Sequence, residues 1–190
     1  MTGLISTVVL ALICLFWAVG AYKRLVGLRK QCKKAFAQLG GQLQRRYDAI
    51  SRLLALIKER MVDETCDALM ATLDHAIAAT AAAKFTDRAA MREMARAEGQ
   101  LCTSLGKVRK SLETAADLPH SADVPELIDA LSEIEERIAF TWQVYNDAAS
   151  QYNASRMQFP VRIIAIIFAF GPAHPLGVNA SVEERDAFQQ

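Results

Sequence analysis

The chain has 190 residues with 22 basic and 21 acidic side chains, a near balance that leaves no overall field for a nucleic acid. Its length suits one domain of ordinary size once an N-terminal anchor is set aside. The charge asymmetry is local: eight basic residues and no acidic one lie between Lys23 and Arg46, and the first carboxylate is Asp48.

The first element is an uncharged run that ends at Tyr22. It is long enough to cross a bilayer as a helix, which takes about 20 residues. Leu4, Val8, Leu12, Phe16 and Trp17 are its anchor positions, and residues 1–22 form the expected anchor. Lys23, Arg24, Arg29, Lys30, Lys33 and Lys34 follow directly. Basic residues behind a span stay on the cytoplasmic side, so the N-terminus is expected outside and the rest of this single-pass chain inside. The same residues are placed to face anionic lipid, at roughly 1 kcal/mol each near the surface. A cleaved signal peptide is the competing reading. Ala18-Val19-Gly20 has the form of a cleavage site, but no Lys or Arg precedes the run, and the run is longer than an ordinary signal core.

The next segment, residues 23–160, reads as helix throughout, rich in Ala, Leu, Arg, Glu and Gln with no proline before Pro119. Leu28, Cys32, Phe36, Leu39, Leu43, Ile50, Leu53 and Ile57 repeat at helical spacing, with Gly40-Gly41 as a weak point. This helix is expected to continue straight from the membrane. A second runs over about 64–84, with Cys66, Leu69, Met70, Leu73, Ile77 and Ala81 as its stripe. Thr86 or Asp87 then caps a third, which carries Met91, Met94, Leu101, Leu105, Val108 and Leu112. Residues 118–125 read as a loop, closing with Asp123 as a cap and Pro125 in the next first turn. The fourth helix carries Leu127, Leu131, Ile134, Ile138, Trp142, Tyr145, Ala149 and Tyr152, and stops at Phe159-Pro160. Four amphipathic helices joined by short turns predict an all-α antiparallel bundle, and an even number of passes returns the chain towards the membrane.

Residues 161–171 are strongly apolar but about half the length of a span. They are expected to pack on the bundle, to enter the membrane surface, or to meet a second subunit. Ile163, Ile164, Ile166, Ile167, Phe168 and Phe170 are the contact candidates. The tail, residues 172–190, is punctuated by Pro and Gly and reads as loosely ordered. Cys14, Cys32, Cys66 and Cys102 are far apart and read as small apolar fillers.

Three stretches carry a family resemblance. They are Leu25-Val26-Gly27-Leu28-Arg29 with Ala35-Phe36-Ala37-Gln38-Leu39; Leu43-Gln44-Arg45-Arg46-Tyr47-Asp48-Ala49-Ile50; and Glu136-Arg137-Ile138-Ala139 with Tyr145-Asn146-Asp147-Ala148, Tyr152-Asn153 and Phe159-Pro160. In order and spacing the chain resembles the LemA family of bacterial membrane-anchored helical proteins. It departs after Ile50, where the family usually reads Pro-Asn-Leu and this chain reads Ser51-Arg52-Leu53. The resemblance implies a short external N-terminus, a cytoplasmic helical bundle at the inner membrane and no established enzymatic activity.

His75, His120 and His174 fall on separate segments without partners at metal-ligand spacing, and the sequence motifs of hydrolases and phosphate-binding loops are missing. Neither catalysis nor a cofactor is expected. Arg46 lies within the apolar sector of the first helix, and Glu135 flanks that of the fourth. Each lies 24 residues from its membrane end, counted from Tyr22 and Phe159, a depth of about 36 Å at 1.5 Å per residue. An ion pair that sets helix register is the expectation. Tyr145 and Tyr152 continue the packing seam, while Asn146, Asp147 and Asn153 are expected to line an adjacent face open to a neighbour. The sum is a membrane-anchored, self-associating scaffold whose partners are lipid and its own copies. The alternative is an adaptor or sensor for another membrane protein in envelope stress or proteolysis.

Overall fold

The computed structural model describes residues 2–58, 64–114 and 123–177. Among them are five helices and no strand: α1 (Thr2–Lys58), α2 (Glu64–Ala82), α3 (Arg88–Thr114), α4 (Asp123–Met157) and α5 (Val161–Ile167). Helix α1 runs through 57 residues without a break, about 85 Å at 1.5 Å per residue. Gly40-Gly41 lies inside it and does not end it, because flanking Leu39 and Leu43 are fully buried and hold both sides of the pair in one stripe.

The ends of the later helices follow from local chemistry. Asp87 caps α3, its Oδ1 accepting from the amides of Ala89 at 2.9 Å and Ala90 at 3.2 Å. Pro125 sits in the first turn of α4, where its missing amide hydrogen costs no bond. Residues 118–122 of the expected loop and the Asp123 side chain lie outside the described residues. Helix α5 ends on a left-handed residue, Ala169 at φ 49°. The amide of Ala169 donates to Ile166 at 3.2 Å and that of Phe170 to Ala165 at 2.9 Å, the paired bonds of a Schellman end.

Helices α1 and α4 lie along each other in opposite directions, as their contacts show. Phe36 packs on Tyr145, and Tyr22 meets Phe168 and Phe170 just beyond the α4 terminus. Helices α2 and α3 form a second pair, bridged by His75 and Glu93. The seam of α1 supplies Cys32, Leu39, Leu43, Ile50, Leu53 and Ile57 to one continuous apolar core. Ile77, expected in the α2 stripe, is half-exposed, and Ala76 and Ala79 take the inward positions. The Tyr47 phenol, reaching to 3.4 Å from the Ala76 carbonyl, is accommodated by a small residue at that point.

The tail differs from its expected looseness as far as Gly177. Ala173 and Leu176 are buried, and residues 170–177 run extended along α4. Two Tyr-Asn pairs seven residues apart hold them. The Asn153 side-chain amide bonds both ways with Ala173, at 2.6 and 3.0 Å, and that of Asn146 both ways with Leu176, at 2.9 Å each. The hydroxyls of Tyr152 and Tyr145 donate to the carbonyls of Gly171 at 2.8 Å and His174 at 2.6 Å. The two periods match: seven helical residues rise about 10 Å, and three extended residues span about the same. Asn146 and Asn153 thus clamp the chain's own end, which corrects their expected role on a face open to a neighbour. Residues 178–190 lie outside the described ones.

Candidate membrane-proximal site

From Ile5 to Trp17 the apolar side chains of α1 stand exposed around the helix, among them Val8, Leu12, Phe16 and Trp17. Leu4 is in the helix, with its side chain outside the described residues. A buried core helix would be covered by the rest of the fold. This one is not, and it is long and apolar enough to cross a membrane. Lys23, Arg24, Lys30, Lys33 and Lys34 are exposed directly after it. Arg29 is exposed as well, with its guanidinium carbon 5.8 Å from the centre of the Phe170 ring.

The apolar segment divides between two environments. Ile164, Ala165 and Phe170 are buried against α1 and α4, whereas Ile163, Ile166, Ile167 and Phe168 are exposed. The Tyr22 ring lies 4.8 Å from that of Phe168 and 5.9 Å from that of Phe170. The end of the expected span and the returning chain therefore meet.

Deeper in the core, the expected Arg46–Glu135 pair is corrected. Arg46 bonds directly to Glu98 on α3, and both are buried. Glu135 instead faces Arg109 at 3.7 Å, and acts on Arg46 only through the field that helps keep it charged. The physical reason lies in the packing. Reckoning depth from the membrane places Arg46 against α4, but α3 offers a carboxylate at the same level on the inward face. The Tyr47 hydroxyl spends its one proton on Glu98, so at 2.7 Å it accepts from Thr80. Burial lowers the Arg46 pKa and raises that of Tyr47. The α3 carboxylate is thus satisfied by two adjacent side chains of α1, with Thr80 of α2 holding the tyrosine.

Glu98 was legible as a gap. Met91, Met94, Leu101, Leu105, Val108 and Leu112 leave it as the missing member of a seven-residue repeat. Arg46 fills the matching gap between Leu43 and Ile50. Two charges at core positions of different helices call for each other. Among the described residues no three His, Cys, Asp or Glu side chains converge as a metal site.

Residues 35–188 match the LemA family. The chain belongs to the LemA family. The match takes in α5, the Tyr-Asn clamp and the buried Arg46–Glu98 pair, and begins after the anchor and most of its basic flank. No curated protein matches the chain.

Proposed function

We propose that this LemA-family chain is a non-enzymatic scaffold anchored once in the bacterial inner membrane, with its N-terminus outside and an antiparallel four-helix bundle on the cytoplasmic face. The observation that carries this reading is the continuity of α1. One helix supplies both the exposed apolar stretch and the main seam of the core, with no linker between them. A domain on such a stem has a fixed direction relative to the bilayer, which is what a lattice of identical copies needs. Lys23, Arg24, Lys30, Lys33 and Lys34 stand exposed at the base and favour an anionic leaflet. The outward Phe140, 69% exposed on α4, is a large apolar group suited to a contact between copies.

The test is the particle size of full-length protein in detergent and in nanodiscs. The scaffold reading expects ordered assemblies that grow with concentration. Single copies at high concentration would overturn it. A complex of fixed size with a second membrane protein would favour the adaptor reading instead.

A further inference from the structure

We propose that α5 is a membrane foot: it lies in the headgroup plane of the leaflet from which α1 emerges, and Arg156 and Arg162 hold the phosphate of an anionic phospholipid beside it. This deepens the proposed anchoring and is independent of self-association.

Both ends of α5 meet α1 along the stretch where its apolar run ends. At its start, Val161 lines an apolar groove whose α1 wall runs from Leu12 to Arg24. Just past its end, the Phe168 ring packs at a tilt against that of Tyr22. A short helix held at both ends by this stretch of a membrane-crossing stem is placed beside the interface. The stretch takes in the point where the apolar run gives way to Lys23.

The faces of α5 fit this position. Ile164 and Ala165 are turned to the protein, while Ile166 is 70% and Ile167 67% exposed, and Phe159 at the preceding corner is 84% exposed. An apolar set of this size left facing water would be unfavourable. At the depth of Trp17 to Tyr22 the surroundings of α1 are lipid, so these side chains reach the acyl boundary as those of interfacial helices do.

The charge beside them is of the matching sign. A hollow of about 380 Å³ between the α4 terminus and α5 is lined by Arg156, Met157, Arg162, Ala165 and Ile166. Arg156 donates from Nη1 to the Phe170 carbonyl at 3.2 Å, while its buried Nε has no hydrogen-bond partner. Two guanidiniums over an apolar lip match a phosphate with acyl chains attached, and a planar fork is well shaped for that oxyanion.

The experiment uses the full-length chain in vesicles, with Trp17→Phe and Trp142→Phe removing the native indoles and Ile166→Trp as the reporter. The vesicles carry brominated acyl chains and about 30% phosphatidylglycerol, a common anionic lipid. The foot predicts blue-shifted emission, with intensity reduced to about half or less by the bromines. A Phe140→Trp reporter on the outward side of α4 stays unquenched. Arg156→Gln with Arg162→Gln reduces the quenching in anionic vesicles and removes its dependence on phosphatidylglycerol, while inorganic phosphate does not restore it. Red-shifted, unquenched emission from Ile166→Trp would overturn the proposal. So would a blue shift that is unquenched and grows with protein density, since a second copy would then cover the face. Quenching that is indifferent to both arginines would overturn the phosphate site. Single copies with a quenched reporter would remove the scaffold reading and leave the foot standing.

Discussion

Arg46 and Glu98 are the residues whose roles are easiest to separate by substitution. A buried pair is weak evidence for stability, because removing two charges from water costs nearly what their attraction returns. Breaking it from one side is another matter. Arg46→Met alone leaves a buried carboxylate with only Tyr47 as donor, and is expected to lower stability by about 3–5 kcal/mol. Arg46→Met with Glu98→Leu recovers most of that loss, as denaturant unfolding of the single and double variants would show. Equal, additive losses would mean that the two side chains act separately. The pair was half legible in the sequence. Arg46 stands out as a charge in an apolar stripe, but its membrane depth points to α4, whereas its partner sits in the interrupted repeat of α3.

At the scale of elements, helix periodicity carried most of the reading, because each seam is a run of buried apolar residues at fixed spacing. Helix α1 shows where local propensity misleads. Two adjacent glycines read as a weak point, yet the buried leucines around them keep the helix whole. Added Cβ atoms at Gly40 and Gly41 would meet nothing within 4 Å. Gly40→Ala and Gly41→Ala are therefore expected to raise stability, each by roughly 0.5–1 kcal/mol, since glycine loses more backbone freedom on folding. A loss of stability from either would mean that the pair serves bending and not continuity. The strap over 170–177 was hidden for a different reason. Its bonds run from Asn and Tyr side chains to backbone groups some twenty or more residues away, and main-chain recognition leaves little trace in the strap's own sequence. Only the seven-residue spacing of the two Tyr-Asn pairs pointed to it.

For the molecule as a whole, buried acids set a limit at high pH. Burial pushes the Cys32 thiol from 9.0 up to about 11, and raises Tyr47, Tyr145 and Tyr152 as well. A group whose pKa is raised in the fold keeps its proton there after the unfolded chain has lost it. The stability it contributes is fully present below the unfolded value and falls as pH rises through the folded one. For Cys32 that window runs from 9.0 to about 11. Thermal unfolding of the full-length protein should show a falling midpoint across this range, with a shallower fall for Cys32→Ala. A midpoint independent of pH would contradict the burial of these groups.

The rigid mounting of the helical core on the bilayer is the claim on which the others depend. Electron cryomicroscopy of the full-length protein in nanodiscs measures it directly. Rigid mounting gives class averages in which disc and core are resolved together, with α1 a continuous rod from one to the other and α5 flat at the disc surface. A sharp core whose disc blurs away, because the two pivot about a break after Tyr22, would contradict it.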